Sequence, residues 1–158
     1  ILAIGNMVSA TLAVTPFFAI FIYYKNFEIV IFGHAAYLFS ILLMKEIIKD
    51  LENIKGDLVQ NYQTLPLIKG ITITKIILAI LVGVSWLSVF GLLYFFELAF
   101  MRYYFYISSV LLLFMMLALL KSNTKRDYIR LHNLLKLIVV LGVISIPLLD
   151  KTFIKTLI

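Results

Sequence analysis

Five long apolar segments, separated by shorter polar connections, dominate the pattern of hydrophobic and polar positions along this chain. The first of them, residues 1–24, carries no charge, and a helix needs about 20 mostly apolar residues to cross a membrane. The pattern predicts an all-α integral membrane protein: one domain, residues 1–158, with five transmembrane helices. The predicted helices cover residues 1–24, 28–44, 72–96, 103–120 and 133–149, and the second is expected to continue as a cytoplasmic helix to about residue 59.

Composition supports the membrane interpretation. Hydrophobic residues make up 63% of the chain and the mean hydropathy is +1.08, whereas a soluble domain is usually about half apolar. A soluble helical bundle would need a polar face on each helix, and these segments have almost none. The chain contains no cysteine, which excludes disulfides, thiolate metal sites and cysteine nucleophiles.

The basic residues are distributed unevenly between the two ends of the predicted bundle. Ten of the fourteen Lys and Arg residues lie in the connections 45–75 and 121–136. The positive-inside rule therefore predicts that both connections face the cytoplasm, in a multi-pass protein of the cell inner or plasma membrane. The net charge of +6 is explained by this rule and by anionic lipid headgroups, so we expect no nucleic-acid partner.

The segment 45–70 is the one dense polar stretch next to the predicted spans, and it holds four of the eight acidic residues. Glu46, Asp50, Asn53 and Asp57 are spaced by 4, 3 and 4 positions, which places them on one face of a helix. Carboxylates one helical turn apart repel each other, so this acidic stripe (Glu46, Asp50, Asn53 and Asp57) favours a bound cation. Oxygen ligands alone indicate a hard metal, Mg²⁺ first.

A solvated amphipathic helix is the alternative interpretation of the same stripe. Lys45 and Lys49 are close enough in sequence to pair locally with the acidic residues, and charged surface runs are common. The spacing alone leaves both interpretations open.

The polar segment also resembles a known motif. K-E-I-I-K-D-L-E-N-I-K-G-D, followed by T-L-P, looks like the second aspartate-rich motif of the UbiA-type intramembrane prenyltransferases. Within that family, the sequence of this motif is most similar to that of the digeranylgeranylglyceryl phosphate synthase branch. The matching positions are Lys45, Glu46, Ile47, Lys49, Asp50, Glu52, Gly56, Asp57, Thr64, Leu65 and Pro66.

The resemblance implies that the chain is the C-terminal part of a nine-helix bundle that transfers a polyprenyl group from its diphosphate to a lipophilic acceptor. Asp50 and Asp57 would be catalytic, and both would bind Mg²⁺ together with Asn53. The resemblance, together with their position beside the acidic stripe, implies that Lys45, Lys49 and Lys69 contact the diphosphate. The acceptor is left open between a geranylgeranylglyceryl phosphate-like lipid, an aromatic quinone precursor, a chlorophyllide and a haem.

Two departures from the family pattern affect this expectation. Asn53 stands where the family usually has Asp, which removes one negative charge from the site. The family's first motif, N-x-x-x-D, is absent: neither Asn6 nor Asn26 is followed by Asp four residues later. We therefore expect a fragment that is inactive alone. The alternative function is a non-enzymatic membrane protein, either a transporter segment or a degenerate scaffold with half a site.

Overall fold

The computed structural model describes residues 4–25 and 27–146, and these form five helices and no strand. The helices are α1 (Ile4–Tyr24), α2 (Ile29–Val59), α3 (Leu65–Phe95), α4 (Met101–Lys121) and α5 (Lys125–Ser145). The predicted all-α class is confirmed. The predicted end of the last helix, at residue 149, lies outside the described residues.

Four helices, α2 to α5, are long and apolar enough to cross a membrane. Their outward faces carry large hydrophobic side chains such as Leu87, Phe90, Phe114 and Ile144, each more than 60% exposed. Such surfaces suit lipid because the hydrocarbon core offers no hydrogen bonds. Over the described residues α1 is not among these four helices, so its predicted crossing stays a prediction.

The helix α2 is the centre of the bundle and packs against α1, α3 and α5. The pairs α3–α4 and α4–α5 complete a four-helix ring around a core, and α1 contacts only α2 among the described helices. The core is formed by fully buried side chains from the four helices of the ring: Ile41, Met44, Ile48, Leu78, Leu112, Met115, Leu119, Leu135 and Ile138.

The second helix continues to Val59, as the sequence predicts, and is long enough to extend beyond a membrane. It has 31 residues, which at 1.5 Å per residue is roughly 46 Å, against a hydrocarbon core of about 30 Å. Its apolar run ends at Met44, and charged residues begin at Lys45. The part 45–59 therefore projects from the spanning part and carries the acidic stripe into a polar environment.

The segment Thr64-Leu65-Pro66 starts α3, whereas the sequence suggested a non-helical connection up to residue 71. Thr64 occupies the N-cap position and Pro66 lies in the first turn, where a missing backbone N–H costs nothing. Gly70 then interrupts the helix with φ 82° and ψ 160°. The predicted start of the third helix at 72 is thus wrong for the helix itself but agrees with the part that follows this break.

The last helix also begins earlier than predicted, at Lys125 rather than at residue 133. A capping box explains the difference: the Asp127 amide donates to the Thr124 hydroxyl at 3.3 Å, and the Thr124 amide donates to Asp127 Oδ2 at 3.0 Å. The segment 125–132 is rich in charged side chains, and the sequence therefore predicts a connection there, but its capped backbone is helical.

The two basic connections lie at the same end of the bundle. The ammonium group of Lys75, at the start of the third span, donates to the backbone carbonyl of Ser122 at the end of α4. His132 Nδ1 of α5 lies 3.0 Å from Glu52 Oε2 of α2. The two connections that are rich in Lys and Arg therefore lie at one end of the fold. The cytoplasmic orientation of that end remains a prediction.

Candidate functional site

The projecting end of α2 holds the predicted site residues. Glu46, Asp50, Asn53 and Asp57 are all partly exposed, and the segment remains helical to Val59 because it contains no Pro and a single Gly, Gly56. The predicted common helical face is therefore present in the folded chain.

Asn6 of α1 reaches the middle of this stripe. Its side-chain Nδ2 donates a hydrogen bond to Asp50 Oδ2 at 2.8 Å, in a partly buried position. The rings of Phe18 and Phe32 meet near the other end of the two helices, 6.4 Å apart, so α1 and α2 run antiparallel. Sequence reasoning set Asn6 aside because no Asp follows it at the spacing of the family motif. The sequence feature that could have indicated this contact is the polar carboxamide of Asn6 in a helix without charged residues, since such a group usually finds a partner on a neighbouring helix.

Asp50 has an unfavourable environment for its charge. Burial raises the pKa of its carboxyl, and the nearby carboxylates of Asp57 and Glu46 raise it further. The hydrogen bond from Asn6 and the ammonium of Lys49 act in the opposite direction, but the net pKa shift is upward. A bound cation would offset the repulsion between the carboxylates, which is the electrostatic basis of a metal site here.

Two of the predicted diphosphate ligands are paired with Glu46. The ammonium of Lys45 lies 3.4 Å from Glu46 Oε1, and that of Lys49 lies 3.4 Å from Glu46 Oε2. The Lys49 side chain is 54% exposed, so it is free to turn towards a ligand. These local pairs are also what the alternative of a solvated amphipathic helix predicts, and exposed pairs of this kind are weak.

The third predicted lysine, Lys69, lies directly before the break at Gly70. It is exposed and makes no ion pair with another described residue. The contacts within the described chain leave its predicted role in diphosphate binding untested.

The donor set fits Mg²⁺ only in part. Over residues 4–25 and 27–146, no three His, Asp or Glu side chains are grouped closely enough to hold a metal ion. Asp50 and Asp57 sense each other's charge, and Asn53 adds an amide oxygen on the same face. Mg²⁺ commonly uses one or two protein carboxylates and takes its remaining ligands from phosphates and water. Asp50, Asn53 and Asp57 carry oxygen atoms of the kind that this mode of binding uses, and their role as Mg²⁺ ligands stays a prediction.

The pair formed by Glu52 and His132 was not predicted from the sequence. Glu52 belongs to the resembling motif but points away from the acidic stripe, and its side chain is 20% exposed, against 14% for His132. A separation of 80 residues gives no local sequence signal for this contact. It fixes the projecting end of α2 against α5.

Comparison with protein-family models, with curated proteins and with solved structures finds no match to this chain.

Proposed function

We propose that this chain contributes one half of the active site of a Mg²⁺-dependent prenyltransferase that works at a membrane surface. The supporting observation is the acidic stripe on the projecting end of α2, where an apolar bundle meets a polar segment. The resemblance of residues 45–66 to the UbiA-type motif supplies the reaction class. The substrate would be a polyprenyl diphosphate, and the acceptor a lipophilic molecule such as geranylgeranylglyceryl phosphate or a quinone precursor.

The chain's own residues would position the donor. The carboxylates of Asp50 and Asp57 and the amide oxygen of Asn53 would hold the cation, and Asn6 would hold Asp50 in place through its hydrogen bond to Oδ2. Bound Mg²⁺ would neutralise the diphosphate and make it a better leaving group.

Lys45 and Lys49 would leave Glu46 to contact the diphosphate oxygens. In the reaction the allylic C–O bond breaks and its electron pair leaves with the diphosphate. A nucleophilic atom of the acceptor then forms a bond to the prenyl carbon and loses its proton. The apolar surface of α2 to α5 suits a prenyl chain that enters from the lipid.

The direct experiment replaces Asp57 by Ala in the protein expressed from its complete gene. Transfer of a labelled prenyl group to each candidate acceptor is measured in membranes with Mg²⁺. We expect transfer to be abolished while membrane insertion is unchanged. Asp127→Asn is the matched control, because Asp127 lies at the start of α5, outside the stripe. Activity within about tenfold of wild type would reject the metal assignment, since loss of a catalytic metal ligand normally costs far more.

A second measurement separates an enzyme from a transporter segment or a degenerate scaffold. Mg²⁺ and geranylgeranyl diphosphate together should raise the melting temperature of the purified full-length protein, and neither alone should do so to the same extent. A scaffold with half a site would show no such joint effect.

A further inference from the structure

A second polar region lies between α2, α3 and the turn from α4 to α5. Lys55 is two residues before Asp57 and thus about 200° around α2 from it, so Lys55 faces away from Asp57. The contacts Glu52–His132 and Lys75–Ser122 hold the three surrounding segments together at this end of the bundle.

These segments enclose a cavity of about 390 Å³. Its polar lining is Glu52, Asn53 and Lys55 from α2, Asn123 from the turn, and Lys125 and Tyr128 from α5. A volume of this size is at the lower end of the range of small-ligand pockets, about 300–1,000 Å³. An open cavity at the polar end of a membrane bundle is accessible to lipid headgroups and to soluble ions.

The two cations that line this cavity have no carboxylate paired with them among the described residues. Lys55 and Lys125 are exposed and form no ion pair with another described residue. The side chain of Tyr128 is only 3% exposed, and its buried hydroxyl has no hydrogen-bond partner among the described residues. The neighbouring Ser122 hydroxyl donates its single hydrogen to the Leu119 carbonyl at 2.8 Å, so it has none left to donate to Tyr128.

The carboxylates nearby are already engaged. Glu52, which also lines the cavity, is paired with His132 at 3.0 Å. Asp127 accepts hydrogen bonds from the Thr124 and Asn123 backbone amides at 3.0 and 3.2 Å, and its pKa is lowered chiefly by its hydrogen bonds to Thr124. Among the described residues, the cavity therefore offers two ammonium groups that have no ion pair, while the one carboxylate in its lining, Glu52, is already paired with His132.

We propose that this cavity binds the phosphate of an anionic phospholipid headgroup. The apolar residues Leu51 and Ile71 on its wall suit the adjoining glycerol and acyl region. The basic end of the bundle is the end that faces anionic lipids under the positive-inside rule, and each Lys near such a surface adds to the attraction. Asn53 belongs to both the cavity and the acidic stripe, but the groups proposed to bind the phosphate, Lys55, Lys125 and Tyr128, lie outside the stripe. The proposal therefore does not depend on prenyl transfer.

The test measures lipid binding to the purified protein by native mass spectrometry in detergent. Dioctanoyl phosphatidic acid is compared with dioctanoyl phosphatidylcholine, whose phosphate carries a choline. We expect phosphatidic acid to bind at least tenfold more tightly than phosphatidylcholine. Lys55→Gln together with Lys125→Gln should remove this preference, and Tyr128→Phe should weaken phosphatidic acid binding a few-fold while keeping the packing of the ring.

Controls make the result interpretable. Lys55→Arg with Lys125→Arg keeps the charge and should bind as the wild type does. Lys136→Gln removes an exposed lysine of α5 outside the cavity and should also have no effect. Unchanged binding in the Gln double variant, or an equal loss in Lys136→Gln, would overturn the proposal. Inorganic phosphate and geranylgeranyl diphosphate are the remaining probes. If either binds in preference to phosphatidic acid, and if this binding is lost in the Gln double variant, the cavity is a site for free phosphate or for a substrate. That result would reject the phospholipid.

Discussion

The side-chain amide of Asn6 donates a hydrogen bond to Asp50 Oδ2 across 2.8 Å, and this bond joins the first helix to the acidic stripe. Among the described helices α1 packs only against α2, so this contact fixes how the two helices are aligned at their polar end. It also occupies one oxygen of Asp50 and leaves the other free. The position of α1 is thereby coupled to the geometry of the candidate site.

Replacing Asn6 by Leu should destabilise the protein and the site together. The Asp50 carboxylate would lose its donor in a partly buried position, which costs about 1–3 kcal/mol. Thermal unfolding in detergent measures the loss. The exchanged pair, Asn6→Asp with Asp50→Asn, restores a donor and an acceptor at the same two positions and should recover most of the stability. Equal stability of Asn6→Leu and wild type would show that the bond does not contribute.

Asp50 should make stability depend on pH. Its pKa is raised in the folded protein, chiefly by burial, so the folded state binds the proton more tightly than the unfolded state does. The stabilisation from this group is complete below the ordinary Asp pKa and is lost as pH rises through the raised pKa. The free energy of unfolding of the wild type relative to Asp50→Asn should therefore fall over that pH range. A difference between the two proteins that does not change with pH would contradict the shift.

Any side chain at position 70 should lower the stability of the protein. Its φ of 82° and ψ of 160° belong to a region that is essentially restricted to glycine, so Gly70→Ala should cost about 1–3 kcal/mol. Gly83→Ala in the same helix is the matched control, because a Cβ there meets nothing within 4 Å and the backbone is helical. We expect the control to be neutral or slightly stabilising in thermal unfolding. Similar effects of both substitutions would mean that the break at Gly70 is not required.

Gly142 allows close contact between α5 and α4. A Cβ at this position would lie 2.8 Å from the Tyr104 hydroxyl oxygen, which itself donates to the Ile138 carbonyl at 3.2 Å. Gly142→Ala should therefore cost about 1–3 kcal/mol through overpacking. Adding Tyr104→Phe removes the clashing oxygen, so the double variant should be more stable than the sum of the single effects predicts. Strict additivity would argue against the contact.

Local sequence determined the class of the fold and the position of the acidic stripe. Hydrophobic runs of sufficient length predict membrane helices because lipid leaves no other way to satisfy the backbone. The stripe could be found because its four members are on one helix, where spacing alone fixes the face they share. The same argument placed the end of the second helix correctly at residue 59.

Only the tertiary structure decided which residues from other helices meet the projecting end of α2. Asn6 and His132 contact Asp50 and Glu52 across 44 and 80 residues, and no periodic pattern encodes such distances. The sequence also did not predict where α3 and α5 begin. The Thr-Leu-Pro segment at the start of α3 and the capped, charged segment at the start of α5 both look like connections in the sequence. The sequence by itself therefore determined the membrane helices and the acidic face. The packing of α1, α3 and α5 around α2 decided the partners of the projecting end of α2, because those contacts depend on how the whole chain folds back on itself.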